Sequence, residues 1–276
     1  MKTKLILITI VLLSLSVGTW AQTDTIVSMI TTKSEGDTVR ISTRWDGVGS
    51  ITANGVKLEN IEYNRYDIPV PADGKIELIA TREVELTYLG CRENQLSNLD
   101  VSKCTELWNL YCGDNQLSSL DVSKCSKLWS LYCENNQLSN LDVSGCTQLA
   151  ELWCFDNQLS NLDVSKCTQL SSLYCDSNQL TNLDVSGCTE LSFVLAADQQ
   201  INITIPVDAV GFKNPIFYKN QTTVEDVLIN DIPYAYEADV PVAADVESLT
   251  FTSIRIEEWN NYRSTPFCGT ITIKRY

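Results

Sequence analysis

Between Leu86 and Leu195 a 21-residue unit returns five times in full and begins a sixth, its starts marked by Leu86, Leu107, Leu128, Leu149, Leu170 and Leu191. A fixed period constrains the fold more than chain length does, because each unit then forms one coil of a stack rather than a share of a globular domain. Apolar residues fall at positions 1, 4, 6, 11, 14, 16 and 19, shown in the first unit by Leu86, Leu89, Cys91, Leu96, Leu99, Val101 and Cys104. Intervals of 3, 2, 5, 3, 2 and 3 never settle into alternating threes and fours, so the period is not three heptads of a coiled coil. The alternation at Leu89-Gly90-Cys91 predicts a short strand with two inward residues. One coil buries too little apolar surface to offset the entropy of ordering it, so the units must fold together.

Position 9 holds Asn94, Asn115, Asn136, Asn157 and Asn178, with Gln199 in the incomplete sixth unit. An amide donates and accepts at once, so this column is expected to satisfy backbone groups where each coil turns inward. The pattern L-x-x-L-x-C-x-x-N-x-L resembles the leucine-rich repeat signature, with cysteine in place of the third leucine, over about Leu86 to Ile201. The resemblance implies a β-rich solenoid with short parallel strands on a concave face, and the chain is similar to secreted bacterial proteins of the internalin type. Longer members of that family place a full helix in the second half of the unit, for which S-N-L-D-V-S-K-C-T is too short. The convex arm is therefore expected to be helix-poor, either extended or a single tight turn. Asp100, Asp121, Asp142, Asp163 and Asp184 precede Val-Ser and are expected to accept backbone N–H bonds in that turn. A calcium column is disfavoured, because the carboxylates belong to separate coils and no D-x-D loop accompanies them.

The flanks read differently. Lys2 and Lys4 precede the apolar run Leu5 to Val17, and Thr19-Trp20-Ala21 offers a cleavage site, so residues 1–21 are expected to be a signal peptide. The run is too short to span a bilayer and no second membrane segment is expected in the mature chain. Residues 22–85 show short alternating stretches such as Thr38 to Ser42 and Lys75 to Ile79 between Gly and Asp turns, and read as a small β cap on the first coil. The solenoid is assigned to 86–205, where Pro206 follows alternating isoleucines, and 206–276 to a compact β domain with strands near Val224 to Leu228, Leu249 to Ile256 and Gly269 to Lys274.

Charge and composition remove whole classes of function. Loss of Lys2 and Lys4 with the signal segment takes the formal charge from −15 to −17, and the repeat lysines and arginines are scattered singly, so nucleic acid and anionic membrane are excluded as expected partners. The chain has no histidine, which removes Ser-His-Asp and Cys-His catalysis and His-bound zinc. No C-x-x-C pair occurs, so no metal and no cofactor is expected. Ten of the eleven cysteines stand in two columns, at positions 6 and 19; only Cys268 lies outside them. Coils about 4.8 Å apart permit pairing without requiring it, and cysteine is read as a small hydrophobe in a tight interior.

Informative variation lies on the outward strand positions. Position 5 reads Gly90, Tyr111, Tyr132, Trp153, Tyr174, Leu195; position 2 adds Trp108 and Trp129, position 3 adds Tyr88 and Phe193, and position 7 adds Phe155. With the interior already filled, these aromatics are expected to form an exposed stripe about 20 Å long, a partner-binding surface. Ladder stabilisation of the sheet is the competing reading. Glu93, Asp114, Asp156 and Asp198 at position 8, with Glu134 and Asp176 at position 7, give the stripe an acidic edge. Tyr88, Trp108, Tyr111, Trp129, Tyr132, Trp153, Phe155, Tyr174, Glu134 and Asp156 are the candidate ligand residues, for a protein or a glycan. Glu134, Glu151 and Asp156 lie on neighbouring coils, as a glycosidase pair would, but an open sheet excludes little water, so no catalytic residue is assigned. The sequence thus points to a secreted or envelope binding and adhesion module, with a carbohydrate-binding protein or a structural envelope component as alternatives. Thiol titration of denatured, unreduced protein is expected to find most of the eleven cysteines free; a count near zero would show the columns oxidised.

Overall fold

The computed structural model describes residues 23–60, 65–81, 83–191 and 193–196, and beyond these the backbone of the strand segments given below. The signal segment lies outside the described residues. Six strands precede the repeats: β1 (Thr23–Thr31), β2 (Thr38–Asp46), β3 (Ile51–Ala53), β4 (Val56–Lys57), β5 (Arg65–Pro69) and β6 (Lys75–Thr81). The coils contribute β7 (Glu85–Gly90), β8 (Leu96–Asp100), β9 (Asn109–Tyr111), β10 (Ser130–Tyr132), β11 (Glu151–Trp153), β12 (Ser172–Tyr174), β13 (Asn182–Asp184) and β14 (Phe193–Leu195).

Six of these strands stack in parallel and in register, so that each residue lies over its counterpart 21 positions on: Leu110, Leu131, Leu152, Leu173 and Val194 form one column. Their side chains are fully buried, as are the cysteines two positions later. The full order is β14-β12-β11-β10-β9-β7-β2-β5, the last two antiparallel. On the other side each coil closes through tight turns, in which Cys125 N donates to Val122 O at 2.9 Å and Leu128 N to Cys125 O at 3.0 Å. No helix occurs among the described residues of the convex arm, as its shortness predicts. The Asp column caps those turns: Asp100, Asp121, Asp142, Asp163 and Asp184 each accept the N–H two residues on at 2.9 Å. The backbone bond from Ser102 or its equivalent holds the Asp100, Asp121 and Asp163 carboxyls below their ordinary value.

Inside each coil the asparagine does what its chemistry permits. Asn136 Nδ2 donates to Cys112 O, Cys133 O and Glu134 O at 3.1, 3.1 and 3.2 Å, while its Oδ1 accepts from Leu117 N at 2.9 Å. The residue just before it is left-handed in every full coil, with φ of 57, 54, 51, 50 and 50° at Glu93, Asp114, Asn135, Asp156 and Ser177. Asparagine and aspartate tolerate that conformation best among residues with a Cβ. Position 8 is thus a backbone corner as well as a place for charge.

The first coil has no preceding repeat, and strands β1 and β2 stand in for one. Arg40 N donates to Asn94 Oδ1 and accepts at its own carbonyl from Asn94 Nδ2, at 2.8 and 2.6 Å. Cys104 Sγ donates to Ile26 O at 3.4 Å, where Cys146 Sγ donates to Val122 O of the preceding coil at 3.5 Å. β1 also pairs with β8, within a sheet ordered β4-β3-β6-β1-β8. All ten repeat cysteines are buried thiols, and burial pushes Cys91 and Cys104 up to about 12 and Cys125 to about 11, so little thiolate forms at neutral pH to start disulfide exchange.

At the far end, β15 (Asn202–Pro206) pairs in parallel with β13, Ile203 opposite Leu183. That offset is one residue short of the repeat, so the alternating isoleucines continue the ladder where the sequence pattern stops. The remaining segments are β16 (Gly211–Lys213), β17 (Val227–Ile229), β18 (Ile232–Tyr234), β19 (Asp239–Pro241), β20 (Ser248–Ser253) and β21 (Cys268–Lys274). β21 lies parallel to β15 and antiparallel to β20, joining the C-terminal strands to the last coil through backbone pairing. The turns that the sequence suggests at Lys219 to Gln221 and at Asn260-Asn261, between these strands, lie outside the described residues.

Asn136→Ala should cost at least about 3 kcal/mol, because it leaves several buried backbone groups without partners. Exposed Gln137→Ala should stay within about 0.5 kcal/mol. Urea unfolding of both variants tests the contrast.

Candidate binding face

The concave strands β9, β10, β11, β12 and β14 have three residues each, and leucine or valine at the middle position points inward, so positions 3 and 5 point outward. Parallel in-register strands then place the position-5 rings on one another. Tyr111 and Tyr132 stack with centroids 4.5 Å apart and planes 19° from parallel; Tyr132 and Trp153 stack at 4.2 Å and 8°. Trp153 meets Tyr174 at 4.8 Å and 51°, and Phe155 at 6.4 Å and 45°. The spacing follows the strand separation of about 4.8 Å. In the first coil position 5 is Gly90, and Tyr88 from position 3 fills the gap: a Cβ on Gly90 would lie 2.9 Å from the Tyr88 hydroxyl. Tyr88 therefore meets Tyr111 edge-on, at 5.3 Å and 87°.

The stack differs from the exposed stripe expected of these residues. Its members are half-buried, because ring faces pack on ring faces. Trp108 and Trp129 are different: at 53% and 45% exposure they are the exposed aromatics among the described residues. The column they occupy continues with Ala150 and Ser171, too small to stack on them.

Polar groups knit the stack to its surroundings. Glu151 Oε2 accepts from the Tyr132 hydroxyl at 2.5 Å and from buried Ser130 Oγ at 3.0 Å. Burial, then the bond to Glu151, raises the Tyr132 phenol well above its ordinary value, so it stays protonated. On the acidic edge, Asp156 is half-buried at its corner, and Asn135 Nδ2 donates to Asp114 Oδ1 at 2.8 Å.

Glu134 is not a rim acid but a buried one. Its side chain is 0% exposed, and Arg92, two coils away, reaches it with Nη1 2.7 Å from Oε1 while Nη2 donates to Asp114 Oδ2 at 2.6 Å. The Arg92–Glu134 contact is an ion pair without hydrogen-bond alignment. It crosses the intervening coil because position 7 there is Gly113, where a Cβ would lie 2.4 Å from Glu134 Oε1. Burial raises the Glu134 carboxyl and Arg92 opposes that rise. Arg92, Gly113 and Ser130 escape a reading of outward aromatics and acids. The signals were an arginine and a glycine in an otherwise variable column, and they gain meaning only across 42 residues of sequence. Among the described residues no three His, Cys, Asp or Glu side chains group to hold a metal ion.

In-register parallel strands, an inward Leu and Cys, and an asparagine ladder on a 21-residue period settle the architecture. It is a leucine-rich repeat solenoid. No family model and no curated protein matches the chain. Among solved structures the solenoid is similar to the functional domain of InlJ from Listeria monocytogenes, described as including a cysteine ladder, with 17% identity over 67% of this chain and 66% of that one and a TM-score of 0.32. It is also similar to an internalin, InlF, from the same organism, with 28% identity over 37% and 32% of the two chains and a TM-score of 0.33. A leucine-rich repeat protein of Leptospira interrogans matches at 21% identity over 37% and 29%, with a TM-score of 0.36. Each match spans less than two thirds of the other chain's length.

Arg92→Met should destabilise the solenoid by roughly 2 to 3 kcal/mol at neutral pH, below the cost of breaking a fully buried pair because Arg92 is 39% exposed. Glu134→Gln in the same background should recover most of that loss. A raised folded-state pKa disfavours folding only where the carboxyl is charged, so the penalty of Arg92→Met should shrink as pH falls through the raised value toward and below 4.5, the ordinary carboxyl value. Urea unfolding of both variants across that range checks the sign.

Proposed function

We propose that this leucine-rich repeat protein is a secreted or envelope-exposed binding module whose concave face holds a polypeptide partner, in adhesion or a related contact. The observation that carries the reading is the rigid aromatic face: a ring ladder locked to parallel strands, with two exposed tryptophans in the column three positions earlier in the repeat. Rings already fixed by stacking lose little entropy on binding, and aromatic anchors dominate the energetics of protein interfaces. A non-enzymatic role fits the same face, since Glu151 is engaged by Tyr132 and Ser130 and Glu134 is paired with Arg92. In this proposal residues 1–21 direct export, 22–85 cap the first coil, 86–205 carry the binding face and 206–276 form a C-terminal β domain. Among the described residues no helix is long and apolar enough to cross a membrane.

A glycan is the second reading, favoured by the open indole faces of Trp108 and Trp129. It has less support from the position-5 rings, whose faces are occupied by one another. A pull-down and glycan-array screen with the mature chain, repeated with Trp129→Ala/Trp153→Ala, tests both readings. The polypeptide reading expects a protein captured by the parent and lost at least about tenfold in the folded double variant. A glycan lost in that way would replace it. Unchanged capture of every partner by a folded variant would remove the concave face from the function.

A further inference from the structure

We infer that Trp108 and Trp129 form a ledge for a basic segment of the partner, with a lysine or arginine side chain lying on the indoles. The inference rests on the polypeptide-binding reading and adds the partner's chemistry.

The ledge is fixed in place. Trp129 N and Ser130 N both donate to Trp108 O, at 2.8 and 3.1 Å, and Ala150 N and Glu151 N both donate to Trp129 O, at 2.9 and 3.1 Å. The two tryptophans therefore leave successive coils from backbones at the spacing of the sheet, with about half of each residue open to solvent. Beyond Trp129 the column drops to Ala150, which is 6% exposed, so the ledge has a step against which a partner side chain fits.

Charge selects the occupant. Glu85, Glu106 and Lys127 occupy the column two residues before the tryptophan column, and Lys127 is paired with Glu106. Glu151 lies on the other side, its carboxylate held at the strand surface by Tyr132 and Ser130. The second cation near this face, Arg92, is bracketed by Asp114 and Glu134. The remaining repeat lysines, Lys103, Lys124 and Lys166, belong to the column following the capped Asp-Val-Ser turn on the convex arm. The coils that carry the ledge thus offer indole surface and an excess of carboxylate, with Lys127 and Arg92 already paired; Arg44 stands at the capped edge of the sheet, on β2 opposite Tyr88. A cation over an indole gains about 0.5 to 2 kcal/mol, and a carboxylate within a few ångströms adds to it. A neutral or acidic segment gains neither. The overall acidity of the chain, −15 formally, acts in the same direction and makes the association salt-sensitive.

The test uses a dye-labelled octapeptide of alternating glycine and arginine, followed by fluorescence anisotropy against the full mature chain. Its control replaces each arginine by citrulline, which has nearly the same shape and no charge. The arginine peptide should bind saturably and at least about tenfold more tightly than the citrulline peptide, which at 1.4 kcal/mol per tenfold lies within the range of one indole-cation contact. Trp108→Met/Trp129→Met keeps apolar bulk but removes the ring quadrupole, and should lose about tenfold while unfolding at the parent's urea midpoint. Should that variant fold poorly, Glu85→Gln/Glu106→Gln gives the independent reading, with a weaker arginine peptide and a smaller salt dependence. Equal binding of the two peptides, retained affinity in the folded methionine variant, or no saturable binding overturns the ledge. If the ledge fails while a captured protein still depends on Trp153, the polypeptide reading survives without it. If the methionine variant instead loses an oligosaccharide, both readings fall.

Discussion

Every coil depends on the position-9 asparagine. A chain that turns inward at fixed intervals carries backbone N–H and C=O groups into an apolar interior, where leaving them unpaired costs as much as most side-chain contacts return. In Asn115 a single amide gives two donated hydrogens to three carbonyls, Cys91 O, Cys112 O and Gly113 O, and accepts from Asn94 N and Leu96 N. It ties its own turn to the coil before it, so satisfying the corner and stacking the coils are one interaction. Glutamine's extra methylene carries its amide past that corner from the same Cα, and alanine lacks the atoms.

The same need explains the start of the array. Arg40 supplies backbone atoms to Asn94, Ile26 a carbonyl to Cys104, and Thr31 a hydroxyl to the Asn94 carbonyl at 2.7 Å. A segment without the repeat pattern thus presents the backbone groups of a coil. The stack passes its bonding pattern from neighbour to neighbour, so its end must offer those groups even when side chains differ. β2 completes the match by extending the concave sheet.

On the concave face the parallel register converts a list of aromatics into a structure. Rings at one position of successive coils have no choice but to stack, which uses their faces for rigidity and leaves their edges for contact. Departures from the column matter most: Gly90 lets Tyr88 cross over, Gly113 lets Arg92 reach Glu134, and Ala150 ends the tryptophan ledge. Small residues in a repeat make local room, and each gap is filled or bordered by a larger side chain from the same coil or another.

Much of this architecture was legible in order of sequence. The period, the inward Leu and Cys, the Asn ladder and the Asp-capped turns all follow from spacing, because a solenoid coil meets mainly its neighbours and its rules are local. The aromatic residues were legible as a group, but not their division into a half-buried stack and an exposed pair. That division depends on what lies one coil away. Nor did the sequence disclose that Glu134 is buried, since burial comes from Arg92 and Gly113 acting across coils, or that position 8 is a left-handed corner before it is a charge. The sequence by itself determined the coil, through period and hydrogen-bonding capacity. Only the tertiary structure decided which side chains on that coil remain free to meet a partner, because exposure depends on neighbours that the chain order keeps 21 and 42 residues apart.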